Sequence, residues 1–262
     1  MIAPLLSLRG VTKRFGGLVA VSDVTFDLKE GETLFLIGPN GAGKTTLFNL
    51  ITGFARPDEG TISFHGRHLN EMAPHVIPSL GIARTFQIPK PLSDLTVLEN
   101  AMLGAFLHDR RSSAAREAAR DCLELLGLGD LAHHRASTVP LAARKLLEIA
   151  RAMATRPKLL LLDEVMAGLN PGESDRLVEA LSHLPERGIS TIGGVEHVMR
   201  VVMAIATRVV VLDHGEKIAE GEPRAVMRDP RVIEAYLGTR FRLAHGADPS
   251  AEGRDPGGGQ VR

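Results

Sequence analysis

One cysteine, one tyrosine and no tryptophan occur among 262 residues, and aromatics make up only 4% of the chain. A lone thiol, Cys122, closes no internal disulfide, so the fold must hold by packing, and a reducing compartment fits. Charge imbalance is missing as well. Lys+Arg and Asp+Glu both number 31, which leaves a formal net charge of zero. Proteins that grip nucleic acid are more often basic, so no nucleic-acid partner is expected. No apolar run approaches the ~20 residues of a membrane helix. The stretch Met1 to Leu6 has neither the basic start nor the apolar core of a signal peptide. These absences predict a soluble chain that does not cross the bilayer, with docking on a membrane protein left open. The 44% hydrophobic content is enough for a substantial core.

The richest local signal is Gly38-Pro39-Asn40-Gly41-Ala42-Gly43-Lys44-Thr45-Thr46. It fits G-x-x-x-x-G-K-[ST], a loop that cradles nucleotide phosphates. Thr33 to Ile37 before it is a short apolar run bounded by Gly31 and Gly38, as a buried strand should be. Thr45 to Thr52 after it predicts a helix, with Leu47, Leu50 and Ile51 at helical spacing and Gly53 as a stop. Glycines let successive N–H groups turn inward toward anionic oxygens, and the helix N-terminus adds partial positive charge there. Lys44 is expected to reach the β- and γ-phosphates of a nucleoside triphosphate, and the Thr45 hydroxyl to hold Mg²⁺.

A second signal completes the first. Lys158-Leu159-Leu160-Leu161-Leu162-Asp163-Glu164 reads as a strand buried on both faces that delivers carboxylates at its end. This is the Walker B arrangement, with Asp163 for Mg²⁺ and Glu164 as the base that takes a proton from the attacking water.

The remaining stretches are organised around these two. Leu5 to Lys13 and Leu18 to Leu28 predict an antiparallel pair turning at Arg14 to Gly17. Phe15 on that turn is either an aromatic that stacks on adenine or a core phenylalanine. Thr61 to Phe64 predicts a strand with a hairpin at His65 to His68, and these two histidines are expected to be solvated and to bind no metal. Ile82 to Phe86 reads as a strand, and Gln87 just beyond it lies where α/β sheets place ligand contacts, unless it is a surface residue. Between Ile88 and Pro157 the pattern turns helical. Thr96 and Glu99 form a capping box. Ser112 opens a helix with Ala115, Ala118, Cys122, Leu125 and Leu126 on its apolar face and Gly127 past its end. A third helix is expected from Ala143 to Arg156. Asn170 and Pro171 open a further helix striped by Leu177, Leu181 and Leu184. Ile189 to Val195 is expected to lie beside the Walker B strand, from which His197 would reach the γ-phosphate, though a lone histidine after a strand is commonly structural. Val209 to Asp213 and Lys217 to Gly221 form a last hairpin, with short helices at 223–228 and 230–237. Beyond Phe241 the Ala-Gly-Pro-Asp-Arg-rich composition predicts a disordered tail, 242–262.

With these pieces in order, the chain from Leu6 to Gly238 resembles the ATP-binding subunits of ABC transporters. More narrowly, it is similar to those that energise branched-chain amino acid importers. The stretches that carry this are VTKRFGGLVAVSDVTFDLKEGETLFLIGPN (Val11 to Asn40), GIARTFQ (Gly81 to Gln87), LTVLEN (Leu95 to Asn100), GLNP (Gly168 to Pro171), Glu196-His197 with Val211 to Gly221, and VIEAYLG (Val232 to Gly238).

The resemblance implies an α/β fold of ABC ATPase type. A P-loop NTPase core with a mixed sheet and flanking helices (1–87 and 158–241) would carry an antiparallel β subdomain and a helical insert (88–157). It implies that Phe15 stacks on adenine, that Gln87 senses Mg²⁺ and the γ-phosphate, and that His197 is the switch histidine. Ile88 to Ser93 and the helical insert would meet a transmembrane permease subunit on the cytoplasmic side of the inner membrane, and a solute-binding protein would act indirectly. Two such ATPase chains, alike or different, would close face to face, each ATP lying between the P-loop of one and the signature motif of the other. Relatives serving urea or amides share the same style.

The signature is where this chain departs from the family pattern L-S-G-G-Q. Val139, Pro140, Leu141, Ala142 and Ala143 stand there, so the serine hydroxyl is missing and a methyl replaces a glycine hydrogen. A lost hydrogen bond to a charged partner is worth ~1.5–3 kcal/mol. That weakens a site without abolishing it, and it opens a second reading: an ATP-gated regulatory half with weak hydrolysis. A further departure is Gly193-Gly194 before His197, where glycine weakens a strand interior. Val165 stands where many members have proline, with no consequence assigned.

Overall fold

The computed structural model describes residues 3–86, 90–195 and 199–236. Strands β1 (Leu6–Phe15) and β2 (Leu18–Leu28) form the expected antiparallel pair. Strand β3 (Thr33–Ile37) leads through the glycine-rich loop into helix α1 (Lys44–Ile51). Strands β4 (Glu59–Phe64) and β5 (Arg67–His68) complete a four-stranded sheet in the order β2-β1-β4-β5. Strand β6 (Ile82–Arg84) precedes three helices, α2 (Val97–Ala105), α3 (Ser112–Leu125) and α4 (Leu141–Ala154). Then come β7 (Leu159–Asp163), α5 (Pro171–Ser182), β8 (Ser190–Val195), α6 (Met199–Ile205), β9 (Arg208–Asp213), β10 (Glu216–Gly221) and α7 (Pro223–Val226), with residues 230–236 again helical. The second sheet runs β10-β9-β3-β8-β7-β6; its pairs are parallel except for the β9–β10 hairpin.

The apolar runs of β3 and β7 are explained by burial on both faces. Leu34 and Leu36, with Leu159 and Leu161, join α1 and the antiparallel sheet in one core. Phe35 and Ile37, with Leu160 and Leu162, face a second core built largely from α2 to α6. Helix α1 therefore lies in the layer between the two sheets, and the other helices cover the opposite face.

Local chemistry sets the helix ends. Both capping boxes form, Thr96 with Glu99 and Asn170 with Glu173, each satisfying two backbone N–H groups reciprocally. Helix α3 ends in a Schellman turn: Leu128 N–H donates to the Leu123 carbonyl, Gly127 N–H donates to Glu124, and Gly127 is left-handed at φ 67°. The buried stripe of α3 is Ala115, Ala119 and Leu123, continuing to Leu126; of the expected face Ala115 and Leu126 are buried, while Ala118, Cys122 and Leu125 are partly buried at its side. Helix α4 starts at Leu141, earlier than expected, because Pro140 at its N-cap is extended.

Candidate functional site

The loop between β3 and α1 is confined by what surrounds it. A Cβ on Gly38 would lie 2.1 Å from the Leu212 carbonyl oxygen, and one on Gly43, at φ 100°, would lie 2.5 Å from that of Ala20. Only glycine lets the loop pass so close to β9 and β2. Ala42 N–H donates to the Pro39 carbonyl, which tightens the curl. Lys44 is buried, and its Nζ donates to the Gly38 carbonyl at 2.6 Å and to that of Pro39 at 2.9 Å. The ammonium thus lies across the loop it follows. No side chain caps the N-terminus of α1, so its first-turn N–H groups point along the axis toward the loop, as an anion would require.

Because β3, β8 and β7 are adjacent and parallel, their carboxyl ends open on one crevice. The Thr45 hydroxyl at the start of α1 donates to Asp163 Oδ1 at 3.4 Å. The two motifs, 118 residues apart in sequence, meet at that point. The other oxygen of Asp163 is taken by Arg84, whose Nη2 donates to Oδ2 at 2.8 Å; both side chains are almost fully buried. Glu164 follows in the left-handed region at φ 50°, its N–H donating to the Gly194 carbonyl at 3.0 Å. A non-glycine residue held there costs of order 1–3 kcal/mol, and such strain gathers at functional sites. The left-handed backbone at Glu164 turns the chain out of β7, which ends at Asp163. Lys145 of α4 donates to the Ala167 carbonyl; burial pushes its pKa down, and the nearby Glu164 carboxylate opposes that.

Phe15 is 52% exposed at the β1–β2 turn beside exposed Leu18 and Val19, with Lys13 Nζ 5.3 Å from its ring centroid. The core alternative for Phe15 is thereby excluded. The glycine pair in β8 also has a physical reason. A Cβ on Gly193 would lie 2.5 Å from the ring of Phe35 on the neighbouring strand, and one on Gly194 would lie 3.2 Å from the ring of Phe48 on α1. The rings fill the space that two side chains would otherwise take, so the strand is supported where glycine alone would weaken it.

The segment Val139 to Ala143 runs from a buried Val139 through exposed Pro140 to Leu141, which is 58% exposed at the first turn of α4. Arg144 secures it, donating from Nε to the Val139 carbonyl and from Nη2 to that of Ser137. Gln87 and His197, like the tail 242–262, lie outside the described residues.

The profile of the ABC transporter family matches residues 21–167, more than half of the chain. This chain belongs to the ABC transporter family. The profile of the branched-chain amino acid ATP-binding cassette transporters matches residues 216–242 of the cassette. The high-affinity branched-chain amino acid transport ATP-binding protein LivG of Salmonella typhimurium is 41% identical over 253 residues, covering 91% of this chain and 99% of LivG. The crystal structure of the ADP conformation of an ATP-binding cassette of an ABC transporter is 33% identical, with a TM-score of 0.81 over 90% of this chain and 100% of that one. A dimeric cassette in a post-hydrolysis state, bound to ADP and Pi, is 26% identical with a TM-score of 0.76, over 84% of this chain and 99% of its own.

Two features around the site were not read from the sequence. Arg84 looks like an ordinary strand residue until Asp163 is placed beside it. The other is an apolar groove of about 340 Å³ between the core and the helical segment, lined by Phe54, Ile77, Arg84, Phe86, Leu103 and Arg151. As for a metal, a hydroxyl and a carboxylate oxygen 3.4 Å apart at the foot of a phosphate loop fit Mg²⁺, which takes one or two carboxylates and completes its shell with phosphates and water.

Proposed function

We propose that this cassette hydrolyses ATP to drive an importer of branched-chain amino acids. The observation that carries the hydrolytic part is the approach of the Thr45 hydroxyl to Asp163 beneath the phosphate loop, with Glu164 turned out of the strand just beyond. The similarity to LivG over nearly all of both chains supports the solute class.

In this reading the loop N–H groups from Gly38 to Thr46 and the ammonium of Lys44 bind the phosphates, and Phe15 stacks on adenine. Mg²⁺, when bound, neutralises developing charge on the phosphate oxygens; Thr45, Asp163 and Gln87 would hold it. Glu164 takes a proton from water as its oxygen attacks the γ-phosphorus, and the bond from that phosphorus to the β–γ bridging oxygen breaks, giving ADP and phosphate. His197 positions the γ-phosphate. A second cassette, alike or different, would present its signature segment to this site, as Val139 to Ala143 would to the partner's. The groove beside Phe86 would receive a permease segment at the membrane's cytoplasmic face.

Uptake of leucine into proteoliposomes holding the assembled transporter tests the whole reading. ATP-dependent uptake that disappears with Glu164→Gln supports it. Uptake that survives this change, or that is absent for every branched-chain amino acid, overturns it.

The exposed Pro140–Leu141 corner favours one other reading, a regulatory half that binds ATP and leaves it uncleaved. Light scattering on Glu164→Gln protein with and without ATP separates the two. An ATP-dependent homodimer shows that this corner completes a site; a monomer with bound ATP points to a distinct partner.

A further inference from the structure

Arg84 ends β6 at the edge of the parallel sheet, an unusual place for a guanidinium whose side chain is only 6% exposed. Its fork reaches two elements at once. Nη2 donates to Asp163 Oδ2 at 2.8 Å, and Nη1 donates to Asn49 Oδ1 at 2.7 Å and Thr52 Oγ1 at 3.2 Å, at the far end of α1. The guanidinium carbon also lies 5.7 Å from the Phe48 ring centroid and 5.3 Å from that of Phe86, so two aromatic faces hold it in place. The backbone of Asp163 is pinned separately, by its N–H donating to Thr85 Oγ1 at 3.2 Å.

The terminal torsion of an aspartate is broad. A carboxylate fixed only through its backbone would turn freely between presenting one oxygen and presenting two. Arg84 removes that freedom by engaging Oδ2, which leaves Oδ1 facing the Thr45 hydroxyl. The same guanidinium is bonded to the last turn of α1, whose first turn carries Thr45. Hydroxyl and carboxylate are therefore tied together from both ends of one helix.

We infer that Arg84 is a positioning residue, which presents a single oxygen of Asp163 to the divalent cation that accompanies the nucleotide and fixes its distance from Thr45. This rests on the reading of Asp163 as the metal carboxylate. A lysine supplies the charge but not a planar fork that spans two acceptors. Loss of such a supporting partner typically costs 10–100-fold in metal affinity.

The test is binding of Mn²⁺, followed by electron paramagnetic resonance, to the full chain loaded with ADP, alongside binding of fluorescent ADP in EDTA. Arg84→Lys keeps the buried charge and hence the fold. It should weaken Mn²⁺ about 10–100-fold while metal-free ADP affinity stays within about twofold. Asn49→Ala leaves the Arg84–Asp163 contact in place and removes one tether to α1, so a smaller loss of Mn²⁺ affinity is expected. Unchanged Mn²⁺ affinity in Arg84→Lys overturns the inference. So does an equal loss of ADP binding with and without metal, which would place the effect on the phosphate loop. Asp163→Asn serves as the control: if it still binds Mn²⁺ like the parent, the assignment of Asp163 itself fails, whatever Arg84 does.

Discussion

The loops before α1 and α4 both lead into helix N-termini that no side chain caps, and they are built differently. The first is walled by the cassette's own backbone, with its tip at Asn40 and Gly41 left exposed. Backbone from β9 and β2 leaves no room for a Cβ at Gly38 or Gly43, Lys44 lies across it, and Asp163 faces it from β7. The second is held from behind, by the Ala136 and Ser137 N–H groups on the Leu95 and Ser93 carbonyls and by Arg144 on two carbonyls, and its outer corner is Pro140 and Leu141 in solvent. The first is preorganised by its own chain. In the proposed function the second is a half-built surface, whose outer side a second cassette would supply. A face that needs a partner tolerates substitution on one side if the partner compensates, which fits the place where this sequence leaves its family's pattern.

The largest effect expected is on the enclosed side. Glu164→Gln should slow phosphate release by about 10²- to 10⁴-fold, the usual contribution of a general base, with ATP affinity retained in a filter-binding assay. Full turnover by the assembled transporter would break the assignment. On the half-built side the change runs the other way. Pro140→Ser restores a hydroxyl before α4, and one hydrogen bond to a charged group is worth ~1.5–3 kcal/mol. Steady-state turnover should rise at most about 10- to 150-fold; no rise would mean that the partner already supplies what is missing.

How much of this contrast could be read in the sequence depended on the range of the interactions. Thr33 to Ile37 and Leu159 to Asp163 were legible because two-sided burial writes a continuous apolar run. Thr96–Glu99 and Asn170–Pro171 were legible because capping acts over three residues. The face of α3 was legible only in part, with Ala119 and Leu123 at its centre missed, because alanines at 114, 115, 118 and 119 give no sharp phase and packing against α2 and α4 selects one. Helix α6 (Met199–Ile205) was not anticipated: it is seven residues long, and Val201 and Val202 are better strand formers than helix formers. Arg84 carried no signal at all, since a cation in a strand looks like a solvent-facing residue and its partner lies 79 positions away.

Smaller effects sharpen the comparison. Gly193→Ala places a methyl against the Phe35 ring beneath the enclosed site, and overpacking of this kind costs ~1–3 kcal/mol. Thermal unfolding should show a lowered midpoint, and an unchanged one would mean that the ring moves aside freely. Phe15→Ala is the mildest. Stacking is worth ~0.5–1.5 kcal/mol beyond burial, so ADP should bind roughly 2- to 10-fold more weakly, with no change in the unfolding midpoint; an unaltered affinity would remove Phe15 from the site.

The ring of Phe35 and the missing side chain of Gly193 have a consequence for how such chains diverge. The two positions are paired across β3 and β8 and share one volume, so they are not free to drift independently. A lineage that acquires a valine at 193 must already carry a smaller residue at 35; taken in the opposite order, the intermediate is overfilled. Leucine at 35 is thus the step that makes room for the change at 193, and it leaves a void beside the glycine until the valine arrives. The two histories lead to the same pair of residues, one through an underfilled core and the other through an overfilled one.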